Sequence, residues 1–469
     1  MPTWSVADIV QRTRGTLVWG ESHRQVHGVS TDSRTVPAGA LFVALRGEHF
    51  DGHQFTAMAL QRGAAAVLLS DVSGVVDCQA SAATSAGIRV ADTQVALQAL
   101  ALAQRRRFPG TVVAITGSNG KTTVKEMTAA VLQQRYATCK ALGNLNNHIG
   151  VPLALLQLEA THQVGVLELG MNHLGEIRRL CELALPHIGV ITNIGLAHLG
   201  YIGSIEGIQQ AKGELIEALD AASVAIVNAD DPRALALGRQ APGRLLTFGQ
   251  AAEADIRGWV HADRGLEGIL CTIVINHTAY EVALAVLGAH QVLNALAAAA
   301  VGVAMHVPAA EIVAGLQSYH GMYGRMMLRR GAGSVTLIDD TYNASPQSMR
   351  VALQCLGHAR VTGRRLAVLG DMLELGDRSS ALHEEVGVLV AQSGVQELVT
   401  FGPLAQHIAQ GAQGAGMSPA SIHMTMHTED TVALLRSLRR TGDVLLLKGS
   451  RGMAMERLVQ ALTEPEGDG

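Results

Sequence analysis

Cysteine is scarce in this chain, with five residues in 469. Cys78, Cys139, Cys181, Cys271 and Cys355 are scattered, with no pair at metal-binding spacing. That excludes a zinc ribbon and a disulfide-stapled scaffold, and the thiols read as reduced and mostly in cores, as expected of a cytoplasmic protein. A basic excess is also missing. The formal net charge is −4 and the pI is near 6.5, which argues against nucleic acid or an anionic membrane as partner. Long apolar runs are missing too. The longest, Ala295 to Met305, is too short to span a bilayer, and the start carries Asp8 with no charged-then-apolar signal. Repeats and low-complexity tracts are absent. Charged residues make up 16% and hydrophobic residues 48%, ordinary values for a soluble globular protein. The length suggests two to four domains. The one basic run, Arg105-Arg106-Arg107, closes a helical pattern that starts near Asp92, where cations complement the helix C-terminus.

What is present begins with Val112-Val113-Ala114-Ile115-Thr116-Gly117-Ser118-Asn119-Gly120-Lys121-Thr122-Thr123. A β-branched run feeds a glycine-rich turn, then a helical pattern with Val124, Met127 and Val131 on one face. Glycines let backbone N–H groups converge on an anion, and the helix N-terminus adds a favourable dipole. Lys121 would bridge phosphate oxygens and the Thr122 hydroxyl would ligate magnesium, so Thr116 to Thr123 read as a triphosphate site. The general phosphate loop asks for glycine five positions before Gly120. Ile115 stands there, so the loop is the narrower Thr-Gly-x-x-Gly-Lys-Thr class.

Further constellations follow. Asn144, Asn146 and Asn147 crowd one turn before Gly150. Their amides suit phosphate, sugar or base oxygens, though asparagine also favours turns on its own account. Glu168 closes the apolar run Val164–Leu167 beside the phosphate-loop strand, a place suited to magnesium. His198, just past another strand, and Lys212, in a helical pattern, are by spacing alone ordinary residues. Asp339-Asp340 at a strand end precede Thr341-Tyr342-Asn343-Ala344-Ser345-Pro346; Asp340 could take ribose hydroxyls. Arg325 lies just inside a linker, placed to reach a phosphate from across a domain gap. Lys448-Gly449-Ser450-Arg451 also follows a strand.

The fold class expected is α/β in three domains. Residues 1–108 form a small α/β domain ending at Phe108-Pro109-Gly110. Residues 109–321 form a central phosphate-loop domain, with strands at Val164–Leu169, Ile188–Thr192, Ala225–Asn228 and Leu245–Phe248. Residues 322–469 form a C-terminal Rossmann-like domain, with strands at Val335–Ile338, Leu366–Leu369, Glu397–Phe401 and Val444–Lys448. Strands alternating with helices imply parallel sheets covered on both faces, with ligands outside the strand C-termini.

Together these motifs resemble the Mur ligase superfamily nearly end to end. The resemblance implies Thr122, Glu168 and His198 as magnesium ligands, with Lys212 joining them as a carbamylated lysine, and two magnesium sites with ATP. Ser30-Thr31-Asp32-Ser33-Arg34, Gly39–Gly47 and Asp51-Gly52-His53 are similar to the family's UDP-substrate domain, so Thr31, Asp32, Ser33 and Arg34 are expected at the substrate. Asp339–Pro346, Gly370-Asp371-Met372-Leu373-Glu374-Leu375-Gly376 and Lys448–Arg451 are similar to the dipeptide-adding members. That places Asn343, Lys448, Ser450 and Arg451 at the substrates too, with Arg325 and Asp340 at the nucleotide. The implied reactants are UDP-N-acetylmuramoyl-tripeptide, D-alanyl-D-alanine and ATP, in a monomer. One departure stands out: the family's His-Asn pair before the Ala-rich helix is His290-Gln291 here, which makes Asn294 the better adenine contact. Competing readings are a ligase adding a single amino acid, including folate-type polyglutamation, a phosphate-loop kinase or switch, and a UDP-sugar binding protein.

Overall fold

The computed structural model describes residues 3–47, 50–72, 84–195 and 202–463. The chain divides into two compact units, Met1–Ile256 with Ala297–Gly315, and Arg257–Leu296 with Leu316–Gly469.

In the first unit, a five-stranded sheet runs in the order Thr16–Trp19, Ala86–Arg89, Ala66–Leu69, Leu41–Val43, Val29–Ser30. Its pairings are parallel except at the first strand. Side chains alternate across it, as strand geometry requires. Leu41, Val43, Ala66 and Leu68 join the large core that continues under the phosphate-loop sheet, while Phe42, Ala44, Val67 and Leu69 fill a smaller core on the other face. The helix Thr93–Arg107 follows; Asp92 caps it by accepting the Gln94 amide at 2.7 Å. Arg105 does more than complement a dipole. It is buried, and it donates to the carbonyls of Ala184 (2.6 Å), Leu185 (2.8 Å) and Phe108 (3.2 Å). It thereby satisfies orphan carbonyls at the end of the helix Glu176–Ala184.

The second sheet of this unit runs Arg244–Gly249, Val224–Asn228, Ile188–Ile191, Thr111–Thr116, Val164–Glu168, Thr138–Lys140, every pairing parallel. Its inner strands are buried almost throughout, while the edge strand Thr138–Lys140 is half-buried, the pattern of a sheet covered on both faces. Ile191 lies level with Thr116, and Glu168 with Ile115, so these strand C-termini open on one edge.

In the second unit, a six-stranded sheet runs Met327–Gly331, Val335–Asp340, Val444–Lys448, Arg365–Gly370, Glu397–Phe401, Ile422–Thr425. It is parallel except at its first strand. Alternate residues again build two cores, Val444 and Leu446 on one face, Leu445 and Leu447 on the other. An antiparallel ribbon, Ile256–Asp263, Ile269–Ile275 and Thr278–Leu284, precedes it; the strand–helix alternation gives no sign of that ribbon. Among the described residues no helix is long and apolar enough to cross a membrane, and Cys139, Cys181, Cys271 and Cys355 are free. Burial pushes the Cys181 thiol up to about 12, which keeps it protonated and inert.

Candidate active site

The phosphate loop leaves the strand Thr111–Thr116 at Gly117, which has φ +149°. A methyl group at 117 would lie 1.9 Å from Thr192 Oγ1, so only glycine fits. Gly120, at φ +80°, turns the chain into the helix Lys121–Leu132. The neighbouring strand end holds the loop in shape. Thr192 Oγ1 donates to Asn119 O (2.6 Å), the Ser118 amide donates to Asn193 O (2.9 Å), and the Asn119 amide donates to Asn193 Oδ1 (3.0 Å). Ser118 Oγ donates to Gly195 O (2.9 Å) and accepts from the Gly195 amide (2.7 Å). Lys121 Nζ curls back to Gly117 O at 2.8 Å. The loop is thus preorganised around a helix N-terminus whose first amides have no partner inside the helix.

Glu168 closes the adjacent strand and is 2% exposed. Its Oε2 accepts the Thr122 hydroxyl (2.8 Å), and its Oε1 accepts Asn146 Nδ2 (2.8 Å). Both partners are neutral, and among the described residues no cation pairs with Glu168. A buried carboxylate is costly without a positive partner. Together with the lone pairs of Thr122 Oγ1 it makes a set of hard oxygen donors that fits magnesium. Among the described residues no three His, Cys, Asp or Glu side chains gather to hold a metal; His198 lies outside the described residues. Lys212, on the helix Ile205–Glu217, is 1% exposed. Burial, and then the positive charge of Lys121, hold its ammonium well below the usual lysine range.

The three asparagines divide their work. Asn146 meets Glu168; Asn147 Oδ1 accepts the amides of Gly150 (2.8 Å) and Ile149 (3.2 Å), at the start of the helix Gly150–Leu155; Asn144 is exposed. In the five-stranded sheet, Thr31 to Arg34 follow the strand Val29–Ser30. Arg34 grips Asp32 with Nε (2.9 Å) and Nη2 (2.7 Å), and this pairing brings the Asp32 carboxyl down to about 2. His53 is set by Asp51 Oδ1 (2.5 Å) on one ring nitrogen and the Ser70 amide (2.9 Å) on the other.

In the second unit the chemistry-bearing residues also gather at strand C-termini. Buried Lys448 Nζ donates to Asp340 Oδ2 (2.5 Å) and Asn343 O (2.8 Å). Asp340 Oδ1 accepts the Met326 amide (3.2 Å), and Ser450 Oγ accepts the Leu373 amide (2.8 Å). Arg325 stacks 3.9 Å from the Tyr342 ring centre, and its buried Nε makes no hydrogen bond among the described residues, which suits an anion. Arg451 pairs with Glu456 at the surface. Asn294 Nδ2 donates to Gln291 Oε1 (2.8 Å), so the longer amide at 291 is used inside the first turn of the helix Gln291–Ala304.

Sequence reasoning missed three residues. Thr192 ends the strand expected at Ile188–Thr192 and Asn193 follows it; both hold the loop, and neither carries a role in the sequence motifs. Lys125, buried on the phosphate-loop helix, had one signal: it sits one turn after Lys121, on the same face.

A parallel sheet with a phosphate loop, and a buried acid at the next strand end, define a nucleotide-dependent enzyme class, and comparison with known proteins narrows it. Three family models match: "Mur ligase family, catalytic domain" over residues 25–105, "Mur ligase middle domain" over 115–302, and "Mur ligase, glutamate ligase domain" over 324–451. The chain belongs to the Mur ligase family. It is 37% identical to the UDP-N-acetylmuramoyl-tripeptide–D-alanyl-D-alanine ligase of Bacillus subtilis, covering 98% of each chain. It is 37% identical to the Escherichia coli enzyme of the same name, covering 93% of each. A crystal structure of MurF from Acinetobacter baumannii matches with a TM-score of 0.86 at 32% identity, covering 98% of each chain. The structure of MurF ligase from Thermotoga maritima in complex with ADP matches with a TM-score of 0.75 at 30% identity, covering 93% of this chain and 97% of that one.

Proposed function

We propose that this chain joins D-alanyl-D-alanine to UDP-N-acetylmuramoyl-tripeptide at the expense of ATP, in peptidoglycan precursor synthesis. The observation that carries this is the Thr122–Glu168 pair beside a preorganised phosphate loop, in a chain alike along its whole length to ligases named for that reaction. The ADP bound to the Thermotoga relative supports the nucleotide. The terminal carboxylate of the tripeptide attacks the γ-phosphorus of ATP, giving an acyl phosphate and ADP. The amine of the dipeptide then attacks the acyl carbon, loses a proton, and expels phosphate as the amide forms. Two anions meet in the first step. Lys121 and the first amides of its helix offset their repulsion and stabilise the phosphoryl group in transfer. An α-amino group has an unperturbed pKa of about 7.7–8.0, so roughly a tenth or more is neutral near pH 7. Positioning therefore matters more than a strong base, and can be worth about 7–11 kcal/mol.

Magnesium, at two sites, belongs to this proposal, with Thr122, Glu168 and His198 holding it and Lys212 joining them as a carbamate. When bound, the metal supplies positive charge to the phosphate oxygens. The burial of Lys212 supports the modified form, since a bare ammonium there is unfavourable. The nucleotide roles of Asn294, Arg325 and Asp340 belong here too. So do the substrate roles of Thr31, Asp32, Ser33, Arg34, Asn144, Asn146, Asn147, Asn343, Lys448, Ser450 and Arg451. The three domains at 1–108, 109–321 and 322–469, a monomeric state and a cytoplasmic setting complete it.

The test is mass detection of the amide product from UDP-tripeptide, ATP and D-alanyl-D-alanine. Product should need all three, and Lys121→Ala should lower turnover about 100-fold or more, the scale of losing one charge-stabilising donor. Lys212→Ala should be almost inactive and regain turnover when a short carboxylic acid is added. Full ATP hydrolysis without an amine acceptor, or a product with a single amino acid only, would overturn the reading.

A further inference from the structure

The helix that opens at the phosphate loop carries a second lysine one turn beyond Lys121. Lys125 is 0% exposed, a costly place for an ammonium unless every N–H is matched. Its Nζ donates to Ala141 O at 2.7 Å and Gly143 O at 2.6 Å, and lies 3.2 Å from Glu126 Oε1. Glu126 in turn pairs with Lys140. Among the described residues no backbone amide reaches the carbonyls of Ala141 or Gly143, so Lys125 is their donor. Those two carbonyls begin the loop that leaves the strand Thr138–Lys140. The same loop ends at Gly150, where a Cβ would lie 2.6 Å from Leu145 Cα, and where Asn147 Oδ1 accepts the amides of Ile149 and Gly150. Between the two fixed ends stands Asn146. Its side chain donates to Glu168 Oε1 at 2.8 Å, and its carbonyl accepts the Gly170 amide at 2.8 Å.

We propose that Lys125 is a positioning residue for the phosphate site: it clamps the asparagine loop so that Asn146 turns the Glu168 carboxylate toward Thr122. Lys121 and Lys125 then share one helix but not one task. The first faces the phosphates; the second, buried beneath the loop, fixes the group that orients the acid. The proposal rests on the reading of Glu168 as a magnesium ligand.

Two measurements test it on the full-length chain, neither of them turnover. The first is amide hydrogen exchange at Gly170 and across residues 141–150; the second is ADP binding by calorimetry with and without magnesium. Lys125→Met keeps length without charge. It should speed exchange at Gly170 and weaken the magnesium-dependent part of ADP binding about 10-fold or more, the usual effect of losing a group that orients a metal ligand. Binding without magnesium should stay the same. Asn146→Ala should weaken the same magnesium-dependent part, and the double variant should be no worse in that part than the worse single, because both act through one chain of contacts. Lys125→Gln, which keeps N–H donors without charge, should fall between wild type and Met, and supplies a folded variant if Met disrupts the core. Native exchange at Gly170 in Lys125→Met and Lys125→Gln, or additive losses in the double variant, would overturn the proposal. Faster Gly170 exchange in the Lys125 variants, with magnesium dependence untouched even in Asn146→Ala, would instead overturn the reading of Glu168 and leave the clamp standing.

Discussion

Gly117 shows how little freedom a phosphate loop leaves its residues. Its φ is +149°, and Thr192 Oγ1 occupies the place of any Cβ. A Cβ at Gly203, at φ +86°, would meet nothing within 4 Å among the described residues. Both glycines carry a backbone penalty for other residues, but only the first adds a collision with the group that shapes the loop. Gly117→Ala should therefore weaken ADP binding about 10- to 100-fold, matching about 1–3 kcal/mol of imposed strain, whereas Gly203→Ala should leave it within about 3-fold, the ordinary size of an uncrowded substitution. Equilibrium binding of ADP to each variant checks this. At this scale Lys121, Thr122 and Glu168 were legible, because each follows directly from a strand end or a helix start. Lys125 was not. A lysine one turn along a helix reads as solvated, and what buries it is a loop that starts 16 residues later.

Among the elements, the helix Glu176–Ala184 has no cap of its own: Gly175 precedes it without a side-chain oxygen. The cap comes from the helix Ile205–Glu217, where buried Glu214 accepts the amides of Gly175 (2.6 Å) and Arg178 (2.9 Å). A carboxylate at a helix N-terminus meets both the orphan amides and the dipole. Glu214 also fixes the rotation of the helix that carries Lys212. Glu214→Ala should cost about 0.5–2 kcal/mol, the scale of losing a helix N-cap, as the part-buried amides of Gly175 and Arg178 lose their carboxylate acceptor, read as a shift in the urea midpoint. The expected outcome is also a partial loss of turnover, as Lys212 loses its setting. Unchanged stability would deny the cap. The strands and helices from Thr93 to Phe248 were mostly readable, because their apolar runs and periodic faces are local properties. The helix expected from Asp92 to Arg107 is there, and so is the phosphate-loop helix with Val124, Met127 and Val131 buried. The antiparallel ribbon from Ile256 to Leu284 was not readable from the alternating pattern. Its strands join by a single 3-10 turn at Gly265–Glu267 and a tight turn rather than by α-helices, and only the two outer strands expose residues.

For the whole molecule, the phosphate loop, Glu168 and Lys212 all fall in the unit Met1–Ile256 with Ala297–Gly315. A ligand that binds only the folded form stabilises what it binds. ADP at 100 times its Kd, with magnesium, should raise the unfolding free energy of that unit by about 2.7 kcal/mol. Calorimetry should show its transition moving upward, and Lys121→Ala should abolish the move. No displacement in the native chain would argue against nucleotide binding at the loop.

The sequence by itself determined the fold class, the phosphate loop and the strand ends where the acids stand, since strand, turn and helix N-terminus are written in consecutive residues. It also carried the resemblance to the family through motifs spread from Ser30 to Arg451. Only the tertiary structure decided which asparagine meets Glu168, that Arg105 and Lys125 are buried donors to distant carbonyls, and that Glu214 caps a helix it does not belong to. Each of these joins a buried charged or polar group to a partner far away in the chain. Such a group is stable only when its partner arrives, and the arrival is a property of packing that local spacing does not encode.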